Sequence, residues 1–397
     1  MMELLLALSI ALAPPGPPPG PAPAAPSCLA VQEDEGLFAE LESFLGTRIR
    51  EGTYHGVIAA VEIEGETLLE TVQGVQNREG SRPMAIDSIF RIYSMSKPVT
   101  VVAALLLMEE GKLALDDPVS KFLPAFKQLR VGLERAPLER EMTIRNLMSH
   151  TSGLTYGIFA QSPVDALVAK ADLLNLDSTL EEMVQKLSEL PLKTQPGSGF
   201  EYSLSIDVLG RVVEVVSDLS LAEFMQRRIF KPLGMHDTGF FVEATKLSRL
   251  ADLNNRGREG LDPIPEPPGV TQLPKLQSGG GGLFSTTGDY LRFARMLLHG
   301  GEHEAGRLLR PESVELMSTN QMPLLGLGGA YGLGGSVVVR DSDSGPGLHT
   351  YSWGGLAGTN FWIDPSEGII GIFMIQNMGE GQHSARFQSE VYQAIGR

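Results

Sequence analysis

The feature that most constrains this chain is the position of its β-rich segments, which lie at the two ends with a long helical stretch between them. Gly56 to Glu64 and Glu66 to Val75 are two β-rich runs meeting at Gly65, the pattern of a hairpin. Tyr331 to Val339, Thr359 to Ile363 and Ile369 to Gln376 turn β-rich again near the other end. Between these ends, helical spacing recurs over Ser94 to Glu110, Thr143 to Ser149, Thr179 to Leu190, Leu204 to Val216, Leu221 to Pro232 and Gly288 to Leu298. Thr179-Leu180-Glu181-Glu182 reads as a capping box. Strands need a partner sheet to bury a face, so the two ends are expected to meet in one sheet.

The expected class is therefore α+β, a largely antiparallel sheet flanked by helices with a mainly helical region inserted. The sheet region is placed at about residues 36–110 and 275–397, and the helical region at about 111–274. A helix carrying Leu37, Leu41, Phe44 and Leu45 opens this body, and another over His383 to Ile395 closes it. Loops such as Gly157 to Leu174 and Arg256 to Leu276 are expected to shape the pocket. A reaction site is expected where the sheet and helical parts meet.

Residues 1–35 differ in kind from the rest. Leu4 to Ala13 is an apolar run too short to span a bilayer, followed by a Pro/Gly/Ala-rich stretch to Pro26. Ala22-Pro23-Ala24 suits signal cleavage, whereas Glu3 stands where an export signal wants a cation. The segment reads as an export signal, which leans the protein to the periplasm or outside. A disordered tail on a cytoplasmic protein is the alternative.

The net charge of −16 leaves no basic stripe for a nucleic acid. A single cysteine, Cys28, excludes an intrachain disulfide and a cysteine-based metal site. His299 and His303 are four apart, but Gly300-Gly301 between them argues against one helical face, so they read as loop histidines and no metal is expected.

Chemistry concentrates in three places. Ser94-Met95-Ser96-Lys97 begins a very apolar helix with Pro98 in its first turn, where proline is tolerated. Spacing of three brings Ser94 and Lys97 within reach of each other. A serine hydroxyl needs a neighbouring base, and a lysine can serve if burial disfavours its charged form. The apolar context leads us to expect a partly buried Lys97. Tyr202-Ser203-Leu204 follows Pro196-Gly197 and precedes another apolar helix, and a tyrosine beside a lysine can act as a general base. Trp353-Gly354-Gly355 lies in a glycine-rich strand region, where the backbone can approach a ligand and a strand N–H can stabilise an oxyanion. Each alone reads equally well as an exposed pair, a packing tyrosine or a β-bulge.

Together and in this order, the three resemble the serine β-lactamase-related family of class C β-lactamases and penicillin-binding proteins. They are most similar to its esterase branch, the family VIII carboxylesterases. Ile92-Tyr93-Ser94-Met95-Ser96-Lys97-Pro98, Thr143-Ile144-Arg145-Asn146-Leu147 and His150-Thr151-Ser152-Gly153-Leu154 carry the same resemblance. So do Tyr202-Ser203-Leu204-Ser205-Ile206-Asp207-Val208-Leu209-Gly210 and Phe230-Lys231-Pro232-Leu233-Gly234-Met235. It runs from about residue 36 to the C-terminus. The resemblance implies a single catalytic domain over residues 36–397, without cofactor, acting on a small-molecule ester. It implies Ser94 as the acyl-accepting nucleophile, Lys97 as the residue that keeps the proton network poised, and Tyr202 as the proton carrier. The oxyanion donors it implies are the N–H groups of Ser94 and Leu356, or of Gly355 if Ser352-Trp353-Gly354 is the matching triplet.

Two departures bear on substrate. Where β-lactamases have Tyr-x-Asn this chain has Leu204, and where they have Lys-Thr-Gly it has Trp353-Gly354-Gly355. Each lost contact to a β-lactam or peptide removes about 1.5–3 kcal/mol if charge-assisted. The reading that follows is a carboxylesterase for short acyl chains with weak β-lactamase activity. Its alternatives are an acyltransferase of the same branch, a β-lactamase or D-alanyl-D-alanine carboxypeptidase, and an inactive scaffold. No Gly-x-Ser-x-Gly occurs, so the α/β-hydrolase route to an esterase has no support.

Overall fold

The computed structural model describes residues 38–158, 162–256, 261–265, 269–340, 344–379 and 381–397. Leu4 to Ala13, the Pro/Ala-rich stretch after it, Cys28 and Leu37 lie outside the described residues.

Helix α1 (Ala39–Arg50) leads into the hairpin of β1 (Gly56–Ile63) and β2 (Glu66–Gly74). Near the other end come β3 (Ser336–Val337), β4 (Tyr351–Gly354), β5 (Asn360–Asp364) and β6 (Ile369–Met374). These form one antiparallel sheet in the order β3-β4-β5-β6-β1-β2, so the two ends of the chain do share a sheet. The join is the β1–β6 pair, with Ala60 opposite Ile372.

Every residue of β1 is buried, which is why its sequence is apolar rather than alternating, save for Glu62, which pairs with Arg295. The strand period of two then sends successive side chains to different cores. Val57, Ala59 and Val61 join Trp362 and Phe373 beneath α1 and the C-terminal helix, with Leu41, Phe387 and Val391 from those helices. Ile58 and Ala60 join Phe361, Ile372 and Met374 in a larger core on the other face.

Through that larger core runs α2 (Ser96–Glu109), buried at every position from Ser96 to Leu107. A helix apolar on nearly every face belongs inside a protein, and this one packs on a later helix, Ser205–Ser217. The intervening region holds α3 (Ile144–Met148), α4 (Pro163–Lys170), α5 (Leu180–Ser188) and α6 (Ser205–Ser217). The capping box of Thr179 and Glu182 opens α5. After the helical residues 221–233 come α7 (Thr287–Leu298) and finally α8 (Gln382–Ala394). Among the described residues no helix is long and apolar enough to cross a membrane.

Two expectations are corrected. The strand expected over Tyr331 to Val339 is reduced to Ser336–Val337. Gly332, Gly334 and Gly335 interrupt it, and Gly334 adopts a left-handed φ of 78° that a regular strand does not contain. The loop expected over Gly157 to Leu174 contains α4, started by proline in its first turn and by Ser162, whose side chain accepts a hydrogen bond from Asp165 N–H.

Candidate active site

The turn that carries Ser94 is shaped before α2 begins. Tyr93–Met95 form a 3₁₀ turn, so the helix expected from Ser94 starts at Ser96. Tyr93 takes a left-handed φ of 41°, a conformation costly for any residue with a side chain. Ser94 Oγ receives two hydrogen bonds, from Lys97 Nζ at 3.0 Å and from Tyr202 Oη at 2.7 Å. The structure thus brings together the serine, the lysine and the tyrosine singled out in the sequence.

Lys97 is more deeply placed than expected, at 0% exposure. A second hydrogen bond, to Gly280 O at 2.7 Å, holds its ammonium group against the glycine-rich segment. That segment is tied to α2 again through Thr100 Oγ1, which donates to Gly279 O at 2.7 Å. Beneath it, Asp207 Oδ1 accepts from Gly280 N–H at 3.1 Å and from Ser278 Oγ. A Cβ at position 280 would stand 2.4 Å from Asp207 Oδ2, so only glycine allows this approach. Burial pushes the Asp207 carboxyl above the usual carboxylate range, opposed by the Ser278 hydrogen bond and the Lys97 charge. Its Oδ2 is buried with no hydrogen-bond partner among the described residues.

Tyr202 is enclosed by rings. His150 lies 4.7 Å away, Tyr156 5.3 Å and Trp353 5.5 Å, centroid to centroid, and Tyr331 bridges Trp353 and His150 at 5.2 and 5.7 Å. Lys97 Nζ stands 4.6 Å from the centre of the Tyr202 ring. Burial, reinforced by the Lys97 charge, holds the His150 imidazole well below its usual pKa and so keeps it neutral. Burial likewise raises the Tyr156 and Tyr331 hydroxyls well above the usual phenol range, keeping them protonated. His150 Nε2, Tyr331 Oη and Trp353 Nε1 are buried without a hydrogen-bond partner among the described residues.

The end of β4 abuts the turn that carries Ser94. A Cβ at Gly355 would meet Ile92 O at 2.4 Å, so this backbone sits directly on the residue two before Ser94. Gly355 N–H donates to Thr359 O at 2.7 Å, which occupies it in the turn between β4 and β5. Trp353 and Gly354 belong to β4 itself. Leu204, the residue standing in place of an amide, is buried in the larger core.

Tyr93, Ser278 and Gly281 also bound a cavity of about 610 Å³, whose walls include Phe240, Leu253, Leu276 and Leu283. Its volume falls in the range of small-molecule sites. His299 and His303 line a different cavity that contains none of these residues. Among the described residues no group of three His, Cys, Asp or Glu side chains is placed to hold a metal ion.

His150, Tyr156, Asp207, Gly280 and Tyr331 were not singled out from the sequence as site residues. Two of them had a readable signal, because His150 and Asp207 lie within the stretches that carry the family resemblance.

Comparison with known proteins adds the context. The beta-lactamase family model matches residues 41–393. Protein Rv1367c of Mycobacterium tuberculosis is 38% identical over 352 residues, covering 82% of this chain and 86% of its own. Esterase EstB of Burkholderia gladioli is 32% identical over 372 residues, covering 87% and 92%. The solved structure of EstCE1, described as a hydrolase with promiscuous acyltransferase activity, superposes with a TM-score of 0.77 at 27% identity. That match covers 91% of this chain and 98% of EstCE1.

Proposed function

The chain belongs to the beta-lactamase family, as a serine hydrolase or acyltransferase of that fold, and from this premise we propose that it hydrolyses uncharged carboxylic esters of short acyl chains. One observation carries the reading: Ser94 Oγ within hydrogen-bond reach of both Lys97 Nζ and Tyr202 Oη.

In the proposed reaction the deprotonated form of Tyr202 takes the Ser94 proton as Oγ attacks the ester carbonyl. The carbonyl π electrons move onto oxygen, and the N–H groups of Ser94 and Leu356 receive that oxyanion. Collapse expels the alkoxide, which takes the proton from Tyr202 and leaves as the alcohol, with the acyl group on Ser94. Water then gives a proton to Tyr202 and attacks the acyl carbon. The second collapse releases the carboxylic acid and returns a proton to Ser94. Lys97, held by Gly280 O, supplies positive charge next to both oxygens throughout.

Trp353 and Leu204 support an ester over a β-lactam, because neither offers the charge or amide that would recognise one. The apolar cavity beside Tyr93 and Gly281 supports a hydrophobic substituent on the substrate. A Cβ added at Gly281 would have the Tyr93 backbone as its nearest neighbour, at 3.8–3.9 Å, which is ordinary van der Waals contact.

The test is hydrolysis of p-nitrophenyl acetate, butyrate and laurate beside nitrocefin. Rapid cleavage of the short esters, lost by about 10³-fold or more in Ser94→Ala, with slow nitrocefin turnover, is the expected result. Gly281→Leu, which narrows the cavity, raises KM for bulkier esters several-fold and leaves acetate unchanged. Strong nitrocefin turnover with poor ester cleavage would reject the ester reading. Adding an alcohol acceptor to the same assay measures acyl transfer, the activity in the description of EstCE1.

A further inference from the structure

The backbone around Tyr202 is gripped by one residue from another part of the chain. Glu201 N–H donates to His150 O at 2.8 Å, and Ser203 N–H donates to His150 Nδ1 at 3.2 Å. Between these two bonds the imidazole packs on the Tyr202 ring, 4.7 Å away and tilted by 51°. His150 therefore holds the residue before the tyrosine, the residue after it, and the ring itself. It does so from a left-handed φ of 54°, a conformation that persists in a non-glycine residue only where its surroundings enforce it.

The grip extends into α6. Ser203 Oγ lies 3.3 Å from His150 Nδ1 and 2.7 Å from Ser205 Oγ, which is 2.7 Å from Ser152 Oγ. Ser205 is the first residue of α6, so the same array fixes where that helix begins. Because Nδ1 accepts the Ser203 N–H, the proton of a neutral imidazole sits on Nε2. Neighbouring bonds hold the segment by other means: Gly197 N–H donates to Thr151 O and Lys193 N–H to Gly153 O, each at 2.7 Å. The His150 side chain is thus not what attaches this segment to the protein, and its specific contribution falls on residues 202 and 203.

We propose that His150 is a positioning residue that aims the Tyr202 hydroxyl at Ser94. The proposal rests on the reading of Tyr202 as the proton carrier. A hydroxyl at the tip of a phenol ring moves with any tilt of the ring. The 2.7 Å separation from Ser94 Oγ therefore depends on the backbone direction at residue 202 and on the wall behind the ring. His150 supplies both.

His150→Ala and His150→Asn separate this role from simple packing. Alanine removes the acceptor and the ring, whereas asparagine places a carbonyl oxygen near the position of Nδ1 and tolerates positive φ. Each variant is measured by kcat and KM on p-nitrophenyl acetate, by the rate of fluorophosphonate labelling of Ser94 followed by intact mass, and by Tm. The expected result is a fall of at least tenfold in kcat and in labelling rate for alanine, with KM within about twofold. Asparagine restores both rates to within about threefold of wild type. A loss below tenfold in the alanine variant, or equal losses in the two variants, overturns the assignment. Should the alanine variant fail to fold, the asparagine variant decides alone: rates within threefold support the proposal, and a larger loss rejects it. Wild-type protein that neither labels nor hydrolyses ester would remove Tyr202 as proton carrier and this proposal with it. Active wild type with an unaffected alanine variant would remove only His150.

Discussion

The two halves of the candidate site are held in different ways. On the α2 side, Ser94, Lys97 and Thr100 are joined to Gly279, Gly280, Ser278 and Asp207 by directional hydrogen bonds. On the Tyr202 side, contact is mostly ring against ring, and His150 Nε2, Tyr331 Oη and Trp353 Nε1 are left without partners among the described residues. Hydrogen bonds fix distance and angle for the atoms they join, whereas ring packing fixes shape and leaves small tilts inexpensive. The difference predicts that the α2 side fails when a bond is removed and the Tyr202 side fails when a wall is removed.

The largest expected effect lies on the bonded side. Lys97→Ala takes one hydrogen bond and a cationic side chain from beside Ser94 Oγ, and ester turnover falls by about 10³-fold while Tyr202 stays in place. Steady-state kinetics on p-nitrophenyl acetate decide this. Turnover within tenfold of wild type would show that the bonded half is dispensable.

A middle-sized effect is expected at Asp207, where function and stability pull apart. Its folded-state pKa is raised by burial, so the unfolded chain ionises first as pH rises past 3.8, and stability is lost over that rise. Asp207→Asn removes this penalty at pH 7 and raises Tm there, and the gain disappears below pH 3.8. The same change alters the carboxyl that accepts from Gly280 N–H and Ser278 Oγ beneath Lys97, and lowers kcat about tenfold. Thermal melts across pH beside kinetics test both, and a Tm lowered at pH 7 would contradict the first part.

The smallest effect is expected on the ring side. Tyr331→Phe keeps the wall and deletes a buried hydroxyl that bonds to nothing among the described residues. Stability rises by about 1 kcal/mol, the cost of an unsatisfied buried polar group, and kcat stays within twofold. A large loss of activity would mean that this hydroxyl takes part in the reaction.

How much of this was legible in the sequence follows the same division. The Ser94–Lys97 pair could be read because both residues lie in one short stretch and spacing of three sets their distance. The join of the two chain ends could be read because β-rich runs stand at both ends with helices between them, and strands need a sheet in which to bury a face. His150 and Tyr202 lie 52 positions apart in sequence, and no local periodicity encodes their contact. Asp207 looked like an ordinary helix residue, and only its packing beneath Gly280 reveals its place. Helix α4 had a readable start in Ser162, Pro163 and Asp165, but its eight residues are fewer than the window over which helical spacing shows. At Tyr331 to Val339 the apolar residues suit a strand, whereas the glycines among them cut it to Ser336–Val337.

The pairing of β1 with β6 also has a consequence for biosynthesis. By the time residue 205 is made, the chain already carries Ser94, Lys97 and Tyr202, yet β1 waits for a strand that ends at Met374. The backbone that faces the turn carrying Ser94, at Gly355 and Leu356, arrives only shortly before it. Closing so long a loop is slow, and local contacts cannot substitute for it. The candidate site of a ribosome-bound chain therefore stays incomplete for most of its synthesis and is assembled only as the strands through Met374 emerge and the sheet closes.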